Sequence, residues 1–363
     1  MPYTLAVILL PLYGHAALKT RLRDAFDRNT LPASLLLHGP RGTGKQQLAL
    51  WLARLLLCEN ADRAPCGACQ SCRLSVALHH PDLHWYFPRP RLKGGDPDLD
   101  DVRHDIAEGI AERLENAGLY EPPGGEEALY VATVRAIVQS AVMSPAMGKR
   151  KVFVIGDAER MVAQEGSDQA ANAFLKLLEE PPADTTLILT SSEPGALLPT
   201  IRSRSVSVRV APLADAEVRA FLADETVASH LDLPAGAATS ELVRSAAGAP
   251  GRLIAREAWE TAMRQARRLL DAAQSPDRGT RLRAALGQGA SGARGKFADT
   301  LDALIVLLHD RSEAAAAKGQ EREASGAARA IDAIEDAKEQ ADRNVNPQLV
   351  TAGILRQITP LMR

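Results

Sequence analysis

Leu35-Leu36-Leu37-His38-Gly39-Pro40-Arg41-Gly42-Thr43-Gly44-Lys45-Gln46 is the stretch on which the fold of this chain turns. Three consecutive leucines read as a short buried strand, and Gln46 to about Leu57 reads as a helix. Between them, Gly39 to Lys45 fits G-x-x-x-x-G-K. Strand, glycine loop and helix in that order let backbone N–H groups curl around phosphate oxygens. The helix N-terminus adds a positive dipole end, and the lysine adds a point charge. Gly39, Gly42, Gly44 and Lys45 are therefore the candidate phosphate-binding residues. The next position calls for a Ser or Thr hydroxyl to ligate Mg²⁺, and Gln46 stands there instead.

Outward from that loop, four further apolar runs read as strands: Leu83–Phe87, Lys151–Ile155, Thr186–Thr190 and Val206–Val210. Helical periodicity over 16–28, 131–142 and 169–180 lies between them, the last ending at Pro181-Pro182, which cannot continue a helix. Five short strands alternating with helices predict a parallel, doubly wound α/β sheet over 1–211. Leu5–Leu10 is expected to be a buried first strand or helix. Residues 88–128 read as an insertion, a surface excursion around one docked helix with Val102, Ile106, Ile110 and Leu114 every four residues. After Pro212 no strand pattern remains. Residues 212–256 form a small helical unit closing on Gly248-Ala249-Pro250-Gly251-Arg252, and 257–363 are helical with a Gly/Ser-rich break at 287–295.

The second magnesium device of a phosphate-loop ATPase is an Asp at the end of a later buried strand, often followed by a Glu that polarises water. After Lys151–Ile155 come Gly156, Asp157, Ala158 and Glu159. Gly156 offers no ligand, and sliding the register to Asp157 puts Ala158 where the Glu belongs. Both magnesium positions are thus compromised, independently of one another as far as sequence shows. Without the cation, charge developing on a transferred phosphoryl group is not neutralised. Neither intrinsic ATP hydrolysis nor Mg²⁺ is expected, while ATP or ADP binding at Lys45 and the glycines stays open.

All four cysteines fall within one segment, Cys58-x7-Cys66-x2-Cys69-x2-Cys72. Four thiolates at short spacing suit a closed tetrahedral Zn²⁺ site of architectural role. An iron–sulfur cluster is the rival, although the x3-Cys-Pro continuation of a ferredoxin run is absent, and unliganded buried thiols are the third possibility. Composition narrows the rest. The 363 residues fit two or three domains, and 46% apolar residues supply real cores. A net charge of −2 gives no global basic field for nucleic acid. No stretch approaches the roughly 20 apolar residues of a membrane span, and a cytoplasmic location is expected.

Leu197-Leu198-Pro199-Thr200-Ile201-Arg202-Ser203-Arg204-Ser205 leads into the last strand. It leaves Thr186–Thr190 at the carboxyl edge of the sheet, where ligands gather in such folds. An arginine supplied in trans to a phosphoryl-transfer site is worth about 10³–10⁵ in rate.

The phosphate loop, the cysteine module, Asn172-Ala173-Phe174-Leu175-Lys176-Leu177-Leu178-Glu179-Glu180-Pro181-Pro182, Leu198–Arg204 and the late Asn344-Val345-Asn346-Pro347-Gln348-Leu349 together resemble bacterial clamp-loader subunits of the AAA+ family. Degraded magnesium positions beside an intact Ser-Arg pair are most similar to the delta-prime branch of that family. The resemblance implies an AAA+ α/β module with a zinc loop at 58–72, a helical lid at 212–256 and an all-α collar at 257–363. It implies a rigid, non-hydrolysing member of a five-subunit ring with gamma/tau and delta subunits, an accessory to a DNA polymerase. Ser203 and Arg204 would reach the adjacent gamma/tau ATP site while the ring places a sliding clamp on primed DNA. Ser205 replaces the usual Cys of that motif. In the lid, Gly251 stands where an ATPase subunit carries a sensing arginine, and Arg252 is not assigned that role. Two alternatives are an active gamma/tau-type ATPase, opposed by Gln46 and Gly156, and a zinc-dependent nucleic-acid module, opposed by a 58–72 loop whose one basic residue is Arg63.

Overall fold

The computed structural model describes residues 9–92, 97–121, 123, 127–162, 168–231, 239–288, 294–342 and 345–362. Leu5–Ile8 of the N-terminal run, the side chain of Asn172 and Asn344 lie outside the described residues. The chain divides into two compact units, 1–254 and 255–363.

In the first unit the five expected strands form: β1 (Ser34–His38), β2 (Leu83–Tyr86), β3 (Lys151–Ile155), β4 (Thr185–Ser191) and β5 (Val206–Arg209). They make one parallel sheet in the order β2-β3-β4-β1-β5. Strands β1, β3 and β4 are buried on both faces, which is why they read as continuous apolar runs rather than alternating ones. Alternate residues feed two cores. Leu36, Phe153, Ile155, Leu187 and Leu189 face one layer, while Leu35, Leu37, Val152, Val154 and Ile188 face the other.

Helices α1 (Ala16–Asp27) and α2 (Lys45–Leu57) cover the second of these faces. A short α3 (Gln70–Val76) follows the cysteine loop. The first face is covered by α4 (Leu99–Glu115), α5 (Val131–Val142) and α6 (Asp168–Glu179). Helix α4 corrects the picture of residues 88–128 as a surface excursion. Val102 and Ile106 are in the core beside Tyr86, Val134 and Phe153, and an antiparallel bridge between Arg89 and Ala128 closes the base of the segment. Its side of the helix follows 102, 106, 109 and 113 rather than a strict four-residue step. Val102, Ile106, Gly109 and Arg113 are buried, and Leu114 is only half-buried. Gly109 permits the approach, since a Cβ there would lie 2.9 Å from the Phe87 ring.

Beyond β4, α7 (Pro199–Ser203) returns the chain to β5. Helices α8 (Asp215–Leu222), α9 (Glu225–His230), α10 (Thr239–Ala246) and α11 (Gly251–Ile254) then share a small core around Val218, Phe221, Val227, Val243 and Leu253. Leu10 is buried in this cluster, and the described end of the N-terminal run, Leu9 and Leu10, lies in neither a helix nor a strand. The second unit is all helical: α12 (Arg256–Gln274), α13 (Arg278–Leu286), α14 (Arg294–Ala317), α15 (Glu321–Asp342) and α16 (Pro347–Ile358). Its own core gathers Trp259, Leu301, Leu304, Leu308, Ile334, Ile354 and Ile358. Among the described residues no helix is long and apolar enough to cross a membrane.

Candidate functional site

The loop at the carboxyl end of β1 has the shape its glycines demand. Gly42 and Gly44 both take φ of 84°, in the left-handed region, and a Cβ on Gly39 would lie 2.2 Å from the Val210 carbonyl oxygen. Lys45 is buried, and its Nζ donates to the carbonyl oxygens of Gly39 (3.0 Å) and Pro40 (2.8 Å). The start of α11 presses on the same loop. Gly251 N–H donates to Gly42 O at 3.0 Å, and a Cβ on Gly251 would meet Gly42 Cα at 2.6 Å. Gly251 therefore permits this close approach. The Arg252 guanidinium donates to the carbonyls of Ala246 and Ala247, which cap α10.

Gln46 is the hub of the site. Its Oε1 accepts from Trp85 Nε1 at 3.0 Å and from Arg113 at 3.2 Å, and its Nε2 donates to Asp157 Oδ2 at 2.9 Å. Both ends of the amide are thus engaged where a magnesium-ligating hydroxyl would stand. Gly156 follows from this: a Cβ there would lie 2.5 Å from Gln46 Oε1. The two lost magnesium positions are not independent, because the Gln46 side chain fills the space that a side chain at 156 would need. Sequence separation hid this coupling, since 46 and 156 meet only across the sheet.

Behind Gln46, Asp157 N–H donates to Thr190 Oγ1 at 3.1 Å. Glu159 is buried, with Oε1 accepting from Ser192 N–H at 3.0 Å and Oε2 without a partner. Burial first, and then the charges of Asp157 and Glu193, push its carboxyl up to about 7. Arg41 pairs with Glu193 at 3.3 Å at the rim of the same site.

The cysteine loop closes on itself. Cys58 ends α2, Cys72 lies in α3, and the four sulfurs all lie within 4.8 Å of one another. Cys58 Sγ to Cys69 Sγ is 3.9 Å, close to the about 3.8 Å edge of a tetrahedron with Zn–S near 2.3 Å. Backbone N–H groups of Cys66, Cys69 and Cys72 point at Sγ of Cys58, Cys66 and Cys69 at 3.4, 3.4 and 3.3 Å, which favours thiolate over thiol. N–H donation from Ala68 and Cys69 brings the Cys66 thiol down to about 6, and burial pushes Cys72 up to about 12. The residues fit a tetrahedral Zn²⁺. Arg23 of α1 secures the loop backbone, donating to Ala61 O at 3.0 Å, Asp62 O at 2.9 Å and Ala64 O.

Arg204 caps the C-terminus of α7. It donates to Thr200 O at 3.0 Å and Ser203 Oγ at 3.3 Å, and it pairs with Glu179 Oε1 of α6 at 2.5 Å. Its placement corrects the sequence reading. Because β5 is parallel to β4, α7 carries the chain back across the sheet, so Arg204 sits just before the amino end of β5. The phosphate loop lies at the carboxyl edge, a strand length away, about 13 Å for four residues. Arg204 and its own phosphate loop are not brought together.

Sequence reasoning missed Arg113, Trp85 and Glu179. Glu179 and Trp85 carried no signal beyond a helix end and an apolar strand. Arg113 did carry one, an arginine in step with Val102, Ile106 and Gly109 on an otherwise apolar helix face.

A family model described as DNA polymerase III, delta subunit, matches residues 14–214. A DNA polymerase III subunit delta' of Pseudomonas aeruginosa is 37% identical over 172 residues, which cover 47% of this chain and 40% of that protein. The Escherichia coli subunit delta' is 30% identical over 223 residues, covering 61% and 53%. A DNA polymerase III subunit gamma/tau of Mycobacterium tuberculosis is 32% identical over 211 residues, covering 58% and 30%. The chain spans about half the length of the curated relatives it matches. A gamma-subunit-related protein of Thermotoga maritima aligns with 95% of this chain and 99% of its own at 18% identity, with a TM-score of 0.34, too loose a superposition to bear on function.

Proposed function

The chain belongs to the DNA polymerase III delta-subunit family, and on that premise we propose that it is a delta-prime-type clamp-loader subunit that leaves hydrolysis to its neighbours. The observation that carries this reading is Gln46, locked by Trp85, Arg113 and Asp157 in the place of a magnesium ligand. With Lys45 turned onto Gly39 and Pro40 and the lid resting on Gly42, the cis site has neither a hydroxyl to ligate magnesium nor the open loop that phosphoryl transfer uses.

In this reading the partners are gamma/tau and delta subunits in a five-membered ring, and Ser203-Arg204 serves the ATP site of an adjacent gamma/tau subunit. The distance of Arg204 from its own loop supports a role in trans. Glu179 now holds the guanidinium, so service to a neighbour's phosphate requires the arginine to exchange this carboxylate for a phosphate oxygen. Zn²⁺ held by Cys58, Cys66, Cys69 and Cys72 has an architectural role, with no open coordination position for catalysis.

The test is a reconstituted complex with gamma/tau, delta and clamp, carrying either the unchanged chain or Arg204→Ala. Clamp- and DNA-stimulated ATPase is expected to fall at least about tenfold with the variant. An unchanged rate removes the trans role. An active gamma/tau-type ATPase is the second reading, favoured by the 32% identity to a gamma/tau subunit. Mg-dependent ATP turnover by the purified chain alone would establish it, and none is expected.

A further inference from the structure

The segment between β2 and α5 brings to the site a charge with no obvious reason to be buried. Arg113 is 9% exposed. Among the described residues its guanidinium meets no carboxylate at ion-pair distance. It is held instead by ring faces, with Cζ 3.4 Å from the centroid of Phe87, 3.7 Å from Tyr120 and 4.6 Å from Trp85. Its hydrogen bond at this site goes to Gln46 Oε1. Beyond Gln46 stands Asp157, whose carboxylate holds the Gln46 amide and whose charge acts on the guanidinium. Burial draws Arg113 below its ordinary value, and Tyr120 and Asp157 oppose that; a guanidinium is basic enough to stay charged in either case.

A helix that only had to fill space would carry Leu or Met at this position, because a buried cation without a carboxylate partner is strongly unfavourable. The aromatic cage offsets that penalty only because the charge is there to be caged. Across the site the order is the Arg113 charge, then Gln46, the loop residue after Lys45, then Asp157, the acid following β3, so that the amide N–H of the loop residue meets the acid directly. In a phosphate-loop ATPase a divalent cation lies between the corresponding groups.

We infer that Arg113 and Gln46 together replace the divalent cation: the caged guanidinium holds Gln46 Oε1, which turns the amide N–H onto Asp157 and fixes the loop in a shape that needs no metal and admits none. The excursion of 88–128 thereby gains a role, the delivery of this charge on α4. Arg113 is a positioning residue acting through Gln46. The inference concerns the chain's own site and stands whether or not Arg204 serves a neighbour.

The test restores the metal ligands with and without the arginine. Gln46→Thr with Gly156→Asp supplies both positions, and the two changes must be made together because Gln46 excludes a side chain at 156. Mn²⁺ binding in the presence of ADP is measured by electron paramagnetic resonance on the full chain. The double variant is expected to bind no better than the unchanged chain. Adding Arg113→Met is expected to tighten Mn²⁺ binding by about tenfold or more, since a unit charge has left the site. Equal affinity with and without Arg113, whether tight or undetectable, overturns the inference. Arg113→Ala alone supplies a second readout if the triple variant does not fold. Millimolar ethylguanidinium is expected to raise its Tm relative to equal NaCl while leaving the unchanged chain unaffected, and the same response in both chains also overturns the inference.

Discussion

At the scale of single residues, Glu159 makes this site sensitive to pH. Its carboxyl is raised from 4.5 to about 7 by burial and by the charges of Asp157 and Glu193, and its Oε2 has no partner. A raised carboxyl binds its proton more tightly in the folded chain than in the unfolded one. Its contribution to stability is therefore full below about pH 4.5 and is lost as pH rises toward 7. The size is about 3 kcal/mol. Glu159→Gln is expected to flatten the stability profile between pH 4.5 and 7, measured by urea unfolding at several pH values; an unchanged slope would show that Glu159 ionises freely. The roles of individual residues were unevenly legible. Gly39, Lys45 and the cysteines announce themselves by spacing, because the backbone geometry and the metal's ligand count fix those intervals. Gln46 acquires its role from a ring and a carboxylate 39 and 111 positions away in the chain, and Arg113 from Gln46, 67 positions away, and no local pattern encodes such partners.

Among elements, the cysteine loop and α4 are the two that distinguish this α/β unit. The loop has few apolar residues of its own, so its order rests on the four sulfurs, on Arg23 and on Glu59, which accepts from Ser71 N–H and Oγ at 2.9 Å. Zn²⁺ binding on the order of 10 kcal/mol is folding energy for such a segment. The purified chain is expected to carry about one zinc per chain, and Cys72→Ser to lose it together with the helicity of α3, read by metal analysis and hydrogen exchange over 58–76. Retention of full protection without metal would assign the order to Arg23 and Glu59 instead. Helix α4 was visible as a helix from its apolar spacing. That it belongs to the core was not, because an amphipathic stripe does not say whether it faces a sheet or a surface groove; Gly109 and the Arg89–Ala128 bridge decide it.

At the scale of the whole molecule, residues 1–254 and 255–363 have separate cores. Leu304 is fully buried at the centre of the second. Leu304→Ala is expected to destabilise that unit by about 2–5 kcal/mol. Scanning calorimetry should show one transition lowered while the unfolding of the α/β unit, followed by Trp85 and Trp51 quenching, stays in place. A common shift of both would mean that the two units unfold together.

The sequence by itself determined the parallel five-stranded sheet, the phosphate loop without its magnesium hydroxyl, the cysteine cluster and the all-helical second unit. Those features rest on local periodicity and fixed spacings, which survive without knowledge of neighbours. Packing between distant segments decided that Gln46 and Gly156 are a single change, that Arg113 braces the Gln46 amide, that Gly251 rests on Gly42, and that Arg204 stands at the edge of the sheet opposite its own loop. Each of these is a contact between segments far apart in the chain. Such contacts depend on which face and which edge the packing gives to a side chain, and periodicity does not carry that information.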